Sequence, residues 1–210
     1  MDELTPDSAE TRDLLDEARA GDRPAFDRLL ARHRPELLQF VELRMDPRMR
    51  GRVDPSDVVQ EAQLETYRRL GDFLDRRPMP FHVWLRKTAY ERLLMLRRRH
   101  RGAARRAVGR EVGLPDRSSL ALAQQLLAPH SSPSRQADRQ EQARRVQEAL
   151  ARLAEADREV LLMRHYEDLP YEDIGCILGI EPAAARQRHG RALLRLHRAL
   201  DERNHGEGRP

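Results

Sequence analysis

Basic side chains are concentrated in one stretch of this 210-residue chain, between Phe81 and Arg110. Ten arginines and lysines there accompany a single acidic residue, Glu91, although the whole chain has a formal net charge of only +4. The ten are Arg86, Lys87, Arg92, Arg97, Arg98, Arg99, Arg101, Arg105, Arg106 and Arg110. This density of positive charge is typical of surfaces that bind polyanions, and nucleic acid above all. A solvated helix face without a partner is the alternative.

A second group of polar residues lies in the sequence LGIEPAAARQRHG, at residues 178–190. Gly179 can take the left-handed conformation that ends a helix, and Pro182 suits the first position of the next helix. Gly175 is small enough to let the second helix cross the first closely. The spacing therefore predicts a helix-turn-helix, a motif that can place its second helix in the major groove of DNA.

The second helix of this motif divides into a buried stripe and a polar face. The stripe consists of Ala185, Ala192, Leu196 and Leu200, with His189 as an imperfect member. The other face combines small residues, which allow close approach, with arginine and glutamine, which bond base edges and phosphates. The predicted DNA-binding residues are Ala183, Ala184, Arg186, Gln187, Arg188 and Arg191. A helix-turn-helix shape also occurs as plain helix packing, which remains the alternative.

No pattern typical of an enzyme accompanies these two groups. We find no phosphate-binding glycine loop, nucleophile elbow or metal-ligand cluster, and we expect no catalytic residue, cofactor or metal. The single cysteine, Cys176, excludes an internal disulfide. No apolar run approaches the ~18 to 20 residues of a membrane span, and the acidic start MDELTPDSAE differs from a signal peptide. We therefore expect a cytoplasmic protein without a membrane span.

The elements that carry these residues are predicted to be helices throughout. Charged residues make up 35% of the chain and aromatic residues 4%, so the core must consist mainly of Leu, Val, Ile and Ala, which favours an all-α fold. Asp22 and Asp54 are predicted caps, each followed by an early proline, and Pro35 marks a kink. The N-terminal amphipathic helices are predicted in AGDRPAFDRLLARHRPELLQFVELRM, VDPSDVVQEAQLETYRRL and FHVWLRKTAYERLLMLRRRH, with a turn at GDFLDRRPMPF.

The C-terminal half is predicted to contain four helices in about 60 residues. They lie in EQARRVQEALARL, in ADREVLLMRHYE, in YEDIGCILG and in the segment from Pro182 to about Leu200, followed by a frayed tail. Between the halves, residues 113–139 are rich in Ser and Pro around one short apolar segment, which can form a brief helix. We interpret these residues as a flexible linker between two small domains.

The sequence LAEADREVLLMRHYEDLPYEDIGCILGIEPAAARQRHGRALLRL resembles region 4 of the extracytoplasmic-function sigma factors of bacterial RNA polymerase. AGDRPAFDRLLARHRPELLQF, DPSDVVQEAQLETYRRL and FHVWLRKTAYERL resemble region 2 of that family, in the same order. The resemblance covers most of residues 18–200. It implies a region 2 bundle at 1–112, the linker at 113–139, a region 4 helix-turn-helix at 140–204 and a tail at 205–210.

The resemblance further implies a sigma factor that binds core RNA polymerase and directs promoter-specific transcription initiation. Asp57, Gln60, Glu61 and Leu64 would bind the clamp helices of the largest subunit, and the flap of the second-largest subunit would be a further contact. The loop from Gly71 to Phe81 would hold an unstacked base of the minus 10 element. Residues near the melted strand would be Phe81, Trp84, Arg86, Lys87, Arg97 and Arg98, while region 4 would bind the minus 35 element.

Several alternatives stay open beside this hypothesis. Trp84 can instead pack in the core against the loop. An anti-sigma factor is a further partner that the family often uses. A transcription regulator that uses the helix-turn-helix without polymerase is the alternative function, although it leaves DPSDVVQEA and Trp84 unexplained. A helical adaptor protein would not explain the concentration of arginines.

Three residues depart from the family's pattern. Gln63 replaces an aromatic or large aliphatic residue, Glu91 takes a place often held by Asn, and His189 stands where Leu is commoner. Glu91 would repel phosphate and alter promoter preference. With the insert RMDPRMRGRVDPSD and the arginine-rich RRRHRGAARRAVGRE, these departures indicate a divergent branch.

The predicted linker is long enough to serve two promoter elements. Its 27 residues would span about 90 Å when extended at ~3.3 Å each, which is about 26 base pairs of DNA. Each half is expected to bind DNA weakly alone. Tethering both halves to polymerase raises their effective concentrations, so we expect promoter specificity mainly in the holoenzyme.

Overall fold

The structure is a computed structural model, and its described residues are 4–45, 47–104, 119, 121–123 and 136–206. Regular structure in these residues is helical throughout, which confirms the predicted all-α class. They form two compact units. The first unit contains the described residues up to 104 with 176–179, and the second contains those from 119 to 175 and from 180 to 206. None of the described helices has the length and apolar character to cross a bilayer.

Among the described residues, the first unit contains six helices, three of which were not predicted from the sequence. The six are α1 (Ala9–Arg19), α2 (Arg23–Arg44), α3 (Pro47–Arg50), α4 (Pro55–Arg68), α5 (Leu70–Arg76) and α6 (Phe81–Ala104), and the unpredicted ones are α1, α3 and α5. Helix α1 begins at a cap formed by Ser8, whose side chain accepts a hydrogen bond from the Thr11 amide at 3.2 Å. The Ser8 cap and the buried Leu15 are the local signals that could have identified it.

The predicted starts of α2 and α4 are correct, although only one uses its aspartate as a side-chain cap. Asp54 accepts a hydrogen bond from the Ser56 amide at 2.7 Å, and Pro55 is the first residue of α4. Asp22 precedes α2 without a side-chain cap bond. Pro35 lies inside α2, which continues past it to Arg44.

An aromatic cluster forms the centre of the first unit and consists of Phe26, Phe73, Phe81 and Trp84. Phe73 stacks on Trp84 with ring centroids 4.2 Å apart, and Phe81 meets Phe73 edge to face at 5.8 Å. Phe26 lies 6.5 Å from Phe81, so the cluster joins α2, α5 and α6. All four side chains are buried. Aromatic contacts of this kind add to the stabilisation that burial provides.

The predicted loop from Gly71 to Phe81 is wrong over its first half. Residues 70–76 form α5, because Phe73 and Leu74 are buried in the core and hold this turn of chain as a helix. The true connection between α5 and α6 is therefore only residues 77–80. It begins at Arg77, whose φ of 37° is left-handed.

The second unit contains the four predicted helices, except that residues 176–178 at the end of the third belong to the first unit. They are α7 (Gln136–Arg152), α8 (Glu155–Leu161), α9 (Tyr171–Leu178) and α10 (Pro182–Gly206), with a π-helical turn at Leu162–Tyr166 after α8. Their buried side chains include Leu150, Val160, Leu161, Ile174 and Ala185. Helix α7 begins at Gln136, inside the segment expected to be linker.

Two further expectations for this half have different outcomes. The expected end of the last helix near Leu200 is wrong, since α10 runs to Gly206 through residues that do not break a helix. Ser119 and residues 121–123 are helical, in agreement with the brief helix expected in the apolar part of the linker. The rest of that segment and residues 207–210 lie outside the described residues.

Gly175 allows α9 and α10 to approach closely, as the sequence predicted. A Cβ atom there would lie 2.7 Å from the Ile180 carbonyl oxygen and 3.3 Å from the Pro182 nitrogen. Contacts this short between a side chain and backbone can be relieved only if the turn shifts. The glycine is therefore a packing requirement of the motif.

We expect Gly175→Ala to lower the free energy of unfolding by about 1–3 kcal/mol, the usual cost of overpacking. Gly190→Ala is the matched control, because nothing lies within 4 Å of its Cβ position in the middle of α10. Alanine should be neutral or stabilising there, by up to about 1 kcal/mol. Urea denaturation of both variants measures the difference, and equal stabilities would contradict the close crossing.

Candidate nucleic-acid interface

The turn that precedes α10 has the geometry predicted for a helix-turn-helix. Gly179 has a φ of 67°, and the Ile180 amide donates a hydrogen bond to the Gly175 carbonyl at 3.0 Å. On the inner side of α10, Ala185 and Ala192 are fully buried and Leu196 is nearly so. The predicted buried stripe is thus confirmed at these three positions.

The opposite side of α10 leaves most of the predicted DNA-binding residues accessible. Ala183, Arg186, Gln187 and Arg191 are exposed, while Ala184 and Arg188 are half-buried. The Arg186 guanidinium lies 5.1 Å from the centre of the Tyr171 ring, a cation–π distance that restrains it. The N-terminal turns of α10 therefore expose small residues, arginines and one glutamine, a combination that can enter a major groove.

His189 joins α10 to its neighbours through hydrogen bonds. Its Nε2 atom lies 2.9 Å from the Nε2 atom of His165, and its Nδ1 atom lies 3.0 Å from the Tyr171 hydroxyl. A bond between two ring nitrogens needs one N–H and one lone pair, so both facing nitrogens cannot be protonated together. The presence of His in place of the family's commoner Leu is thereby explained as a polar link between helices.

The environment of this histidine pair favours the neutral rings. Burial lowers the pKa of both His165 and His189 below the ordinary 6.5, and the positive charge of Arg164 adds to the effect. Among the described residues, no group of three His, Cys, Asp or Glu side chains is placed to hold a metal ion. The pair is therefore a structural link under the candidate DNA-binding helix.

The predicted role of Phe81 and Trp84 in contacting melted DNA is corrected by their burial. Phe81 is fully buried, and Trp84 packs face to face on Phe73 in the aromatic cluster. Trp84 therefore packs in the core, which was the alternative to a base contact. Its partner is helix α5 and not a loop. Local spacing could not distinguish these roles, because a buried and a base-stacking aromatic residue look alike in a sequence.

Three arginines of the basic segment are engaged in contacts within the first unit. Arg86 pairs with Glu36 at 3.0 Å, and Arg92 pairs with Glu65 at 2.8 Å. Arg97 donates a hydrogen bond to the Arg44 carbonyl. These side chains attach α6 to α2 and α4, so part of the positive charge serves the fold.

The remaining basic residues of α6 are more available to a ligand. Arg98 and Arg99 are exposed and Lys87 is half-buried. The side chain of Arg101, and Arg105, Arg106 and Arg110, lie outside the described residues. Glu91 is half-buried on the same helix, and nothing in the structure explains its presence.

Asp7 lies in the N-terminal segment, residues 4–19, and caps the basic helix α6, a contact that was not predicted from the sequence. Its carboxylate accepts hydrogen bonds from the Phe81 amide at 2.7 Å and the His82 amide at 3.3 Å, with His82 Nδ1 at 3.0 Å. Burial opposes ionisation, but the hydrogen bonds from His82 and the two amides outweigh it and lower the pKa of Asp7. Because the partners are 74 and 75 residues apart in sequence, no local pattern could reveal the cap.

One face of α4 exposes the residues that the family resemblance implicates in polymerase binding. Asp57, Gln60 and Glu61 are exposed, and Leu64 retains 52% of its accessibility. Tyr67, one turn further, is 48% exposed and was not predicted. Their spacing of three and four residues places them on one side of the helix. We call these five residues the α4 face.

Gln63 points away from this face and connects α4 to α2. Its amide nitrogen donates to the Leu30 carbonyl at 3.2 Å, and its oxygen accepts from Arg34 at 3.1 Å. The departure from the family's apolar residue is therefore compensated by two hydrogen bonds. Gln63 is a packing residue in this structure.

The chain is similar to sigma factors over nearly its whole length. A family model described as "Sigma-70, region 4" matches residues 143–196. The RNA polymerase sigma-H factor of Pseudomonas aeruginosa is 28% identical over 188 residues, which are 89% of this chain and 92% of that protein. The RNA polymerase sigma factor CnrH of Cupriavidus metallidurans is 28% identical over 198 residues, covering 94% and 97% of the two chains. The ECF RNA polymerase sigma factor SigD of Mycobacterium tuberculosis is 29% identical over 198 residues, covering 92% and 87%.

Solved structures show the same fold. The structure of CnrH in complex with the cytosolic domain of CnrY matches with a TM-score of 0.58 and 26% identity, covering 92% of this chain and 99% of that chain. The sigma factor RpoE of Bartonella quintana, solved with the anti-sigma factor NepR, matches with a TM-score of 0.57 and 19% identity, covering 84% and 96%. At that identity the second match shows similarity of fold.

The histidine pair makes the stability of the second unit depend on pH. An unfolded histidine takes up a proton near pH 6.5, whereas His165 and His189 in the folded chain do so only at lower pH. The contribution of these two histidines to the free energy of unfolding is therefore fully present above pH 6.5 and is lost as the pH falls below it. His189→Leu removes one of these groups, so we expect a smaller loss of unfolding free energy between pH 7 and pH 5.

Urea denaturation at several pH values between 5 and 7 measures this effect. His197→Gln is the matched control, because His197 is an exposed histidine on the same helix. An unchanged dependence of the unfolding free energy on pH in His189→Leu would show that the half-buried histidine pair does not control the acid sensitivity of the unit.

Proposed function

Since this chain belongs to the extracytoplasmic-function sigma factors of the sigma-70 family, we propose that it binds core RNA polymerase and directs transcription initiation at specific promoters. The observation that carries the proposal is that one chain exposes two faces suited to large partners. These are the outer side of α10, with Ala183, Arg186, Gln187 and Arg191, and the α4 face. The similarity to sigma factors along nearly the whole chain supports assigning both faces to one function.

The α4 face is the proposed contact with core polymerase. Asp57 and Glu61 supply negative charge that complements a basic partner, and complementary charge steers association and fixes orientation. Leu64 and Tyr67 supply apolar area at the centre of such a contact, where aromatic residues often carry much of the binding energy. The family resemblance assigns this contact to the clamp helices of the largest subunit, with the flap of the second-largest subunit as a further contact.

The promoter contacts follow from the exposed parts of the two units. Arg186, Gln187 and Arg191 on α10 are the proposed readers of the minus 35 element. For the minus 10 element, the connection at residues 77–80 and the accessible Lys87 and Arg98 take the role first expected of the whole segment. The buried aromatic residues support this surface from beneath.

An anti-sigma factor completes the set of proposed partners. The similar protein CnrH has been solved in complex with the cytosolic domain of CnrY. A factor that works with RNA polymerase acts in the cytoplasm, and we propose that location. The alternative of a regulator that acts without polymerase explains α10 but gives no use to the α4 face.

Charge reversal on the α4 face tests polymerase binding. We expect Asp57→Arg to weaken the affinity for core RNA polymerase at least about tenfold, a loss of about 1.4 kcal/mol of binding free energy. Co-elution at increasing concentrations of the variant measures this loss. Asp13→Arg is the matched control, because Asp13 is an exposed aspartate on α1. Equal co-elution of both variants would exclude the proposed docking face, and no co-elution of the natural chain would favour the regulator without polymerase.

Removal of one amide side chain tests promoter reading by α10. In holoenzyme, Gln187→Ala should relax the preference at one or two bases of the minus 35 element, since a good base contact contributes about 1–3 kcal/mol of discrimination. Initiation on a set of promoters with single-base changes measures this preference. Gln142→Ala, at an exposed glutamine on α7, is the control. Identical base preferences in the two variants would remove Gln187 from the interface.

A further inference from the structure

The N-terminal segment holds both ends of the connection between α5 and α6. At the end of the connection, Asp7 accepts hydrogen bonds from the first two amides of α6. At its start, Asp16 on α1 forms an ion pair with Arg77. Two acidic residues of one segment therefore restrain the same short stretch, residues 77–80.

The start of α6 needs a cap that its own sequence does not supply. The first amides of a helix have no partner inside the helix and are usually satisfied by a side chain just before it. The residues that precede α6 are Arg77, Pro78, Met79 and Pro80, none of which has a capping side chain. Asp7, which lies far from α6 in the sequence, supplies this cap, and its side chain is only 10% exposed.

The start of the connection is also unfavourable without outside support. Arg77 has a φ of 37°, a left-handed conformation that residues other than glycine adopt at a cost. Its amide donates to the Phe73 carbonyl at 2.7 Å, and its guanidinium is paired with Asp16. A strained residue persists only where its surroundings hold it.

Helix α1 of this segment is itself attached to α2. The Thr11 hydroxyl lies 3.1 Å from Nε2 of His33, and Glu10 and Glu17 pair with arginines of α2. Through these contacts, α1 joins α2 to the connection. The connection itself is exposed at Arg77 and Pro78.

We propose that Asp7 and Asp16 are positioning residues for promoter recognition, which fix the connection at residues 77–80 in the conformation that receives the unpaired strand of the minus 10 element. The inference rests on the proposed function and extends it to the N-terminal segment. A recognition loop that is held before binding loses less conformational entropy when it binds. Without the restraints, the chain would still dock on core polymerase, but the resulting holoenzyme would open the promoter less effectively.

The test uses the full chain assembled with core polymerase on a promoter mapped with the natural protein. Permanganate reactivity of unpaired thymines measures the extent of opening. We expect Asp7→Ala to reduce opening about fivefold, the size of effect that follows from loss of a helix cap. Asp7→Asn keeps an oxygen that can cap the helix and should restore opening to within about twofold of the natural chain.

Asp13→Ala is the matched control, since it removes an exposed carboxylate from the same segment. Co-elution with core polymerase should be the same for all these variants. If Asp7→Ala and Asp13→Ala open the promoter to the same extent while both bind core polymerase normally, the inference is overturned. If the natural chain itself neither binds core polymerase nor initiates, the proposed function fails, which is a separate result.

A second variant decides the matter if Asp7→Ala does not fold. Asp16 is 66% exposed and its ion pair with Arg77 lies at the surface, so its loss removes a local restraint on Arg77 and changes the free energy of unfolding of the whole unit little. Asp16→Ala should therefore fold normally and still alter initiation at promoters with single-base changes in the minus 10 element. Unchanged preferences in folded Asp16→Ala would overturn the inference.

Discussion

The aromatic cluster at the centre of the first unit is the contact on which the rest of that unit depends. The chain contains only four Phe and one Trp, and three of these Phe gather with Trp84 in one place. Their burial draws residues 70–76 into helix α5 and fixes the start of α6 at Phe81. The short, exposed connection and its distant cap at Asp7 follow from that arrangement.

Arginine has two roles in this protein, and only the tertiary contacts separate them. Arg86 and Arg92 neutralise acidic residues of neighbouring helices, whereas Arg98 and Arg99 remain exposed. The charge available to a nucleic acid is therefore smaller than the count of basic residues in the segment suggests. Attraction of phosphate must come from the exposed members of the set.

The second unit solves its packing with small residues and polar links. Gly175 permits the close approach of two helices, and Ala185 and Ala192 keep the inner side of α10 narrow. His189 completes that side by hydrogen bonds to His165 and Tyr171 in place of an apolar contact. The outer side of the helix is thereby left available to a ligand while its inner side is held in position.

The helical class, the helix-turn-helix with its glycine turn and the cap at Asp54 were all predictable from the amino-acid sequence. These features depend on residues within a few positions of one another, where helical periodicity and capping rules apply. The burial of Phe81 and Trp84, the hydrogen bonds between Gln63 and α2 and the cap that Asp7 forms on α6 are visible only in the folded chain. Burial and long-range hydrogen bonds depend on which segments pack together, and residues more than 70 positions apart leave no local pattern of that pairing.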